Sequence, residues 1–489
     1  MITPEVRAQY KVTIGIECHV QFKTATKLFA AVGNDAREAP PNTLVSHICF
    51  GMPGALPVLN DEAVHLASRA AFALGTEPQK FSAFDRKHYF YPDLPMGYQI
   101  TQFSHPIIRD GEVIIEIDGQ EKRIGIHEAH LEADAGKSTH PAGKDYSLVD
   151  LNRAGTPLLE IVSEPDMHSA AEAKLYAKEL YLRMRYADVS DANLFYGNMR
   201  FDVNVSVSKT TELGTRTETK NLNSFRSVEK AIEYEVDRQI ELLEKGESIV
   251  QETRGFDDAK QKTFSQRSKE DAHDYRYMPD PDLPPIVLDD KYIDKIRVQM
   301  PIMPNEWRER LSKLGLNFAQ IETLLEGELE NESVSYLPNI EQHFDQPELI
   351  KFLANWYVNV MIPLVREDKF KLDTDEHLPL EKAIYNLLNA NKLSSTNAKA
   401  LFAKIAEFGT LPANIEEFAT EHGFIQVSDE GEIAKIVEQV LAENPKAAED
   451  VRGGEMKAIG FLTGQVMKAS KGKANPSLAQ ELIKKQLEL

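Results

Sequence analysis

Two segments of the chain alternate between hydrophobic and polar residues, which is the pattern of a strand with one buried face. The first segment covers residues 12–22. The second covers residues 199–207, and its hydrophobic members would share one face: Met199, Phe201, Val203, Val205 and Val207. We therefore predict a strand at each place, within a region that is rich in strands and extends to about residue 292.

A helical period replaces this alternation over residues 225–245. Hydrophobic residues recur there every four positions, at Val228, Ile232, Val236 and Ile240. Ser224 is a suitable N-cap, and Gly246 is a suitable stop signal at the other end. The spacing predicts one amphipathic helix between these two residues.

Two breaks divide the chain into three predicted domains. Residues 280–285 read Asp-Pro-Asp-Leu-Pro-Pro, a cluster that interrupts regular structure. Beyond about residue 292 the spacing is helical, until a second break at residues 409–412. We predict an α+β protein with a strand-rich cradle domain (1–292), an all-helical domain (293–407) and a small helical tail domain (408–489).

Composition narrows the class of protein. Of 489 residues, 42% are hydrophobic and 27% are charged, as in a globular protein with a sizeable core. No apolar run approaches the roughly 20 residues that span a bilayer, and the first ten residues lack an apolar signal core. Cys18 and Cys49 form neither a disulfide framework nor a metal-spaced pair. We expect a cytoplasmic protein that has no membrane association.

The net charge of -21 argues against a protein that is coated in nucleic acid. It still permits RNA binding through a local basic patch. One such patch is expected in the tail, where lysines outnumber acids near a predicted turn. Lys468, Lys471 and Lys473 are the candidate nucleic-acid contacts.

Three strand segments carry candidate metal ligands. Glu17 and His19 are two positions apart, so a strand would place both on one face. Glu132 lies in a second such segment, and Glu160 interrupts an apolar segment where an unpaired carboxylate is costly. Alone, each has an ordinary interpretation, and for Glu160 this is an ion pair with Arg153 or Arg200. Together, oxygen-rich ligands with one imidazole suit Mg²⁺ or Mn²⁺ better than Zn²⁺.

Other nucleotide and hydrolase motifs are missing from the sequence. Residues 136–139 read Gly-Lys-Ser-Thr, but a phosphate-binding loop also needs glycine where Leu131 stands. There is no G-x-S-x-G elbow, so no serine hydrolase or amidase nucleophile is visible. ATP binding would need another architecture.

Long strings of the chain resemble the B subunits of the Glu-tRNA(Gln)/Asp-tRNA(Asn) amidotransferases. The longest string covers residues 150–165, Asp-Leu-Asn-Arg-Ala-Gly-Thr-Pro-Leu-Leu-Glu-Ile-Val-Ser-Glu-Pro. Others follow in order over nearly the whole chain, at residues 14–20, 53–60, 89–95, 132–138, 220–225, 251–254, 274–277, 464–469 and 471–476. The resemblance implies a heterotrimer with an amidase (A) subunit, which releases ammonia from glutamine, and a small C subunit.

The resemblance also implies an ATP-dependent activity on Glu-tRNA(Gln), Asp-tRNA(Asn) or both. The family's Mg²⁺ site falls on Glu17, His19, Glu132 and Glu160 here. These four are also the predicted catalytic residues. A further set is predicted to contact the phosphates of ATP: Arg153, Arg200 and Lys220.

One segment departs from the family pattern. The family usually has Met-Glu-Glu-Gly-Ser before its Arg-x-Asp-x-Asn strand, and residues 194–198 here read Leu-Phe-Tyr-Gly-Asn. The loss of this carboxylate pair leaves a rival hypothesis open, a tRNA-binding scaffold without catalysis. A second rival is a stand-alone Mg²⁺-dependent ligase or hydrolase.

Overall fold

The computed structural model of the protein describes residues 2–268, 274–331, 333–372, 374–426, 430–455, 457–470 and 474–488. The chain forms two compact units, Met1–Pro304 and Asn305–Leu489. Strands are concentrated in the first unit and helices make up the second, which confirms the predicted α+β class. The predicted division of the helical part into residues 293–407 and 408–489 stays a prediction.

The strands of the described residues lie in the first unit, and many of them alternate between buried and exposed positions. In chain order they are β1 Lys11–Gln21, β2 Phe81–His88, β3 Tyr98–His105, β4 Ile108–Ile117, β5 Gln120–Ala133, β6 Lys137–Thr139, β7 Leu148–Asp150, β8 Pro157–Ser163, β9 Met199–Ser208, β10 Thr217–Leu222, β11 Glu252–Asp257, β12 Lys262–Ser268, β13 Met278–Pro279 and β14 Ile286–Val287. The predicted strands at residues 12–22 and 199–207 are confirmed as β1 and β9.

An eight-stranded sheet organises this unit, in the order β12-β11-β10-β9-β1-β8-β5-β4. Neighbouring strands are antiparallel, except that β10 and β11 run parallel. A smaller sheet combines β13, β2 and β14, with β3 paired to β2, and β6 pairs with β7. Strand β1 therefore lies near the centre of the large sheet, between β9 and β8.

Helices cover one face of the large sheet and complete the core of the unit. The helices here are α1 Pro4–Arg7, α2 Asp61–Ala73, α3 Ala170–Tyr186, α4 Phe225–Glu244 and α5 Asp290–Val298. Helix α4 is the one predicted from the four-residue period: the Ser224 hydroxyl accepts a hydrogen bond from the Ser227 backbone N–H at 3.0 Å, and Gly246 has a φ of 77°. Helices α3 and α4 pack on each other and on the sheet.

The second unit is helical. Its elements are α6 Pro304–Lys313, α7 Phe318–Gly327, α8 Leu337–Glu341, α9 Pro347–Trp356, a π-helix Tyr357–Met361, α10 Ile362–Arg366, α11 Thr374–Asn389, α12 Ser395–Phe408, α13 Ile415–Glu421, α14 Glu430–Glu443, α15 Pro445–Arg452, α16 Lys457–Ala469 and α17 Pro476–Gln486. Helix α12 ends at the predicted second break, where Gly409 has a φ of 73°. Helices α14 to α17 share a hydrophobic core of their own.

Within the described ranges, no helix combines the length and the apolar character that a membrane crossing requires.

Candidate functional site

The side chains of β1 alternate between a buried face and a second face that carries Glu17 and His19. Cys18 and its hydrophobic neighbours on the same side are buried against the helices, while Glu17 and His19 point to the opposite side. The register of the neighbouring strands places further polar side chains beside His19. Glu160 of β8 lies directly opposite His19, and His130 of β5 lies directly opposite Glu160. These polar and charged side chains therefore lie together on the face of the sheet that is opposite the hydrophobic core.

Four side chains form a compact cluster on this face, which we call the histidine–carboxylate cluster: His19, His130, Glu132 and Glu160. The Nε2 atom of His19 lies 3.6 Å from Oε2 of Glu160 and 3.8 Å from Oε1 of Glu132. The Nε2 atom of His130 lies 3.2 Å from the same oxygen of Glu160. One ligand atom each from His19, Glu132 and Glu160 lie within 4.8 Å of one another, which is compatible with a shared metal ion.

Charge and burial oppose each other in this cluster. Burial works to lower the pKa of His19, but Glu160 and Glu132 outweigh it and raise that pKa to about 9. Burial likewise works to lower the pKa of His130, and the same two carboxylates raise it to about 10. Burial works to raise the pKa of Glu160, yet the two histidines hold it well below its ordinary value. The carboxylates thus attract positive charge into a largely buried site, and either a proton or a metal cation could supply that charge.

Glu17 joins a different set, which we call the second carboxylate cluster: Glu17, Asp202 and Glu218. Each contributes an oxygen within 4.8 Å of the others. Asp202 of β9 lies directly opposite Glu17, and Nδ2 of Asn204 donates a hydrogen bond to Glu17 at 2.9 Å. Burial and then Glu160 raise the pKa of Glu17. The four predicted ligands therefore divide between two adjacent clusters, three in one and Glu17 in the other.

Lys220 neutralises part of the second carboxylate cluster. Its Nζ lies 2.8 Å from Oδ2 of Asp202 and 3.0 Å from Oε1 of Glu218. Burial works to lower the pKa of this ammonium group, but the two carboxylates raise it overall. Lys220 is one of the three predicted phosphate contacts, and it also lines a pocket of about 810 Å³ together with Lys87, Tyr89 and Tyr275.

The other two predicted phosphate contacts meet at a different carboxylate. Nε of Arg153 lies 3.3 Å and Nη2 of Arg200 lies 3.4 Å from Oδ2 of Asp134. Glu160 pairs with histidines, so the ordinary interpretation of an ion pair to Arg153 or Arg200 does not describe it. Arg153 lines a second pocket, of about 410 Å³, which it shares with Lys137 and Tyr196 among others.

Three members of these clusters were not among the predicted ligands. The same-face rule puts His130, two positions before Glu132, on the face of β5 that carries Glu132, but the rule alone did not make His130 a ligand. Asp202 and Glu218 join Glu17 only because β9 and β10 lie beside β1. The sequence contains the alternation of each strand, but it does not state which strands are neighbours.

Of the three lysines predicted to contact nucleic acid, one can be described. Lys468 is exposed in the last turn of α16. Lys471 and Lys473 lie outside the described residues.

Comparisons with known proteins cover nearly the whole chain. Residues 12–294 match the family model of the GatB/GatE catalytic domain, and residues 340–487 match the GatB domain. The B subunit of the aspartyl/glutamyl-tRNA(Asn/Gln) amidotransferase of Persephonella marina is 44% identical over 98% of this chain and 100% of its own length. The B subunits of the same name from Geotalea uraniireducens and Caldicellulosiruptor bescii are 45% and 42% identical, each over 98% of this chain and 99% of their own length. The chain therefore belongs to the family of aspartyl/glutamyl-tRNA(Asn/Gln) amidotransferase B subunits.

Proposed function

We propose that this chain is the activating subunit of a tRNA-dependent amidotransferase, a ligase that uses ATP and Mg²⁺. Its substrate is the side-chain carboxylate of Glu-tRNA(Gln), of Asp-tRNA(Asn) or of both. Its partners are an amidase (A) subunit, which supplies ammonia, and a small C subunit, in a cytoplasmic heterotrimer. The observation that carries the proposal is the histidine–carboxylate cluster, which lies on the face of the sheet opposite its helix-covered core.

The donor set fits Mg²⁺. Two carboxylates and one imidazole offer mainly hard oxygen ligands, and Mg²⁺ is commonly held by one or two carboxylates together with substrate phosphates. The ligand atoms of His19, Glu132 and Glu160 are within 4.8 Å of one another, so one cation can reach all three. Bound there, Mg²⁺ would supply positive charge that offsets the charge of the phosphates.

The second carboxylate cluster includes a neighbouring polar atom that a ligand could satisfy. Oδ1 of Asn204 is buried and has no hydrogen-bond partner among the residues whose positions are described. That oxygen belongs to the residue whose amide donates to Glu17. We assign Glu17 a supporting part in cation binding, with Asp202 and Glu218 as its neighbours.

The reaction needs positioning more than it needs a strong base. The aminoacyl carboxylate attacks the γ-phosphate of ATP, ADP leaves, and an acyl phosphate forms. Ammonia then attacks the carbonyl carbon, inorganic phosphate leaves, and the nitrogen releases a proton. In phosphoryl transfer the protein contributes mostly orientation and electrostatics. Lys220, Arg153 and Arg200 are the cations that we assign to phosphate oxygens.

Two pockets offer separate places for the two large substrates. The pocket of about 810 Å³ has aromatic walls and includes Lys220, and its volume is within the roughly 300–1,000 Å³ of small-molecule sites. Nζ of Lys87 lies 4.9 Å from the Tyr275 ring centroid at this pocket. We assign ATP to it. The pocket of about 410 Å³ is left for the acceptor end of the tRNA.

The experiment is amide formation by the reconstituted complex on both misacylated tRNAs. Glu132→Gln and Glu160→Gln should abolish amidation and weaken Mn²⁺ binding measured by titration calorimetry, while glutamine hydrolysis by the amidase subunit continues. Glu116→Gln makes the same chemical change at an exposed position on β4 and should leave all three measurements unaltered. Amidation at near wild-type rate in Glu132→Gln would refute the metal assignment.

The same complex separates the rival hypotheses. A scaffold without catalysis would bind tRNA but would not hydrolyse ATP in response to aminoacyl-tRNA. A stand-alone ligase or hydrolase would be active without the amidase and small subunits. We expect ATP hydrolysis that depends on aminoacyl-tRNA and on the complete heterotrimer.

A further inference from the structure

The segment between α3 and β9 exposes two aromatic side chains, Phe195 and Tyr196, which we call the aromatic pair. Phe195 is 87% exposed, more than any other large hydrophobic residue that the structure describes, and Tyr196 is 52% exposed. Their ring centroids lie 5.2 Å apart in an edge-to-face arrangement. The guanidinium carbon of Arg37 lies 5.8 Å from the Tyr196 ring centroid. The two rings therefore present an aromatic surface to solvent, with a cation beside it.

Hydrogen bonds fix the segment that carries the aromatic pair. The backbone N–H of Tyr196 donates to Oδ1 of Asn193 at 3.2 Å, and the backbone N–H of Asn198 donates to the Asn193 carbonyl at 3.0 Å. The Asn198 carbonyl accepts from the backbone N–H of Gln21, at the end of β1, at 2.7 Å. The aromatic pair is therefore presented by an ordered loop that is attached to the central strand of the sheet.

The aromatic pair stands at the edge of a pocket that leads toward the histidine–carboxylate cluster. Tyr196 lines the pocket of about 410 Å³, and Arg153 lines it too. Arg153 and Arg200 both contact Asp134, and Arg200 lies directly opposite His19 in the sheet. A ligand that rests on the aromatic pair could therefore extend through the pocket to the site of chemistry.

The pocket is lined by four cations and three carboxylates: Lys23, Arg37, Lys137 and Arg153, with Asp35, Asp150 and Asp191. Lys137 is exposed there, and no carboxylate of the described part of the chain forms an ion pair with it, although Asp150 lies opposite it in the sheet. Lys137 is therefore the cation best placed to meet a phosphate. The rim beside the aromatic pair is charged, with Arg37 paired to Asp35 at 2.7 Å. An apolar protein partner would require a contiguous apolar patch, whereas isolated aromatic rings among charges are typical of surfaces that bind single-stranded nucleic acid.

We propose that the aromatic pair is a stacking platform for an unpaired nucleobase at the 3′ end of the aminoacyl-tRNA. This inference rests on the proposed function and adds positioning residues to it. Every nucleobase has a π face, so stacking on Phe195 would tolerate any base in the unpaired end. Lys137 would hold a phosphate of the same strand. The aminoacyl group, beyond the last nucleotide, would then point toward the histidine–carboxylate cluster.

The test is a cycle between a protein variant and an altered RNA, measured on the complete heterotrimer. Phe195→Leu keeps an apolar side chain but removes the π face, and Phe195→Trp enlarges that face. Each complex is titrated with intact deacylated tRNA and with the same tRNA trimmed of its unpaired 3′ nucleotides. Phe195→Leu should weaken binding of intact tRNA by about 5- to 150-fold, the range that stacking of one base provides. It should bind trimmed tRNA as the wild type does, and Phe195→Trp should retain or improve affinity for intact tRNA.

Other outcomes would refute the proposed stacking platform. Equal loss of affinity for intact and trimmed tRNA would place the contact elsewhere on the RNA. Unchanged affinity for both RNAs would show that Phe195 does not contribute to tRNA binding. Failure of Phe195→Leu to assemble with the amidase and small subunits would make the aromatic pair a protein interface. Because wild-type amidation is measured in parallel, a complex that binds tRNA without making amide would overturn the proposed function, and this outcome is distinct from the other three.

Discussion

Lys220→Met removes the only ammonium group that lies within 3.0 Å of the second carboxylate cluster in the described structure. Asp202 and Glu218 would lose their shared cation, and Glu17 would remain within 4.8 Å of both. Methionine matches the length of the lysine stem, so the variant mainly removes charge. We expect the strands that hold the cluster to become less stable.

The size of the effect follows from burial. Breaking a fully buried ion pair costs about 3–5 kcal/mol, because the remaining charge has no partner. The side chain of Lys220 is 30% exposed, while those of Asp202 and Glu218 are 5% and 8% exposed. Water therefore screens the pair at one end, and we expect a loss of about 1–3 kcal/mol in a buffer without divalent cations. A loss of about 2 kcal/mol corresponds to roughly 30-fold faster amide exchange in strands that open together.

Divalent cations should reverse this loss. Without the lysine, the three carboxylates are free to bind an added cation, and a ligand that binds only the folded state stabilises it by about 2.7 kcal/mol at 100 times its dissociation constant. The assay is hydrogen exchange of the β9 and β10 amides with and without Mg²⁺. Lys230→Met is the control, because Lys230 pairs with Glu233 on the exposed face of α4. Exchange there should not respond to Mg²⁺.

Two results would refute this reasoning. Exchange in β9 and β10 that is as slow in Lys220→Met as in the wild type, with divalent cations removed, would show that Lys220 does not neutralise the cluster in solution. Faster exchange that Mg²⁺ does not slow would show that the freed carboxylates are not a cation site.

Three further predictions concern other parts of the chain. Burial raises the pKa of Glu328 to about 7, against the opposing hydrogen bonds that the Leu337 and Tyr336 backbone N–H groups donate to it. The stability that this raised pKa provides is present below about pH 4.5 and is lost as the pH rises through about 7, so Glu328→Gln should raise the melting temperature at pH 8 and not at pH 4. Equal effects at both pH values would contradict the assignment. The purified chain, free of its partners, should hydrolyse no glutamine, and any hydrolysis would contradict the absence of an amidase nucleophile. Deletion of residues 408–489 should raise the KM for aminoacyl-tRNA and leave assembly of the complex intact. Lys468→Ala should lower the salt dependence of tRNA binding by about one unit of slope if Lys468 contacts a phosphate. Unchanged tRNA affinity at two salt concentrations would mean that the tail has another role.

Much of the fold could be predicted because two periods are visible in the sequence. Alternation identified β1 and β9, and the four-residue period with Ser224 and Gly246 identified α4 with both of its ends. Such local patterns depend on residues close in the chain. The order of strands in the large sheet depends on contacts between distant residues, and no single segment records it. The strand order was therefore the part of the fold that the sequence could not supply.

The same limit explains why the candidate site was predicted only in part. His19, Glu132 and Glu160 converge as expected, but Glu17 and His19 occupy successive positions of one strand face. Such positions are about 6.6–6.8 Å apart along the strand, which is more than the 4.8 Å that separates the ligand atoms of one cluster. Glu17 instead meets Asp202, its direct neighbour on β9. Only the register between strands distinguishes these outcomes.

In the first unit, the alternation of side chains along β1 places hydrophobic residues in the core and charged residues in the cluster. This shared dependence explains how the charged cluster is held in place. A shift of β1 by one residue against β8 and β9 would turn Glu17 and His19 toward α3 and α4, and would expose Cys18 and its hydrophobic neighbours. Hydrophobic burial therefore opposes any movement that separates His19 from Glu160. The histidine–carboxylate cluster needs no stability of its own, because the helices on the opposite face of the sheet hold its register. The carboxylates can thus remain close together, despite their repulsion, and attract the positive charge that the proposed reaction requires.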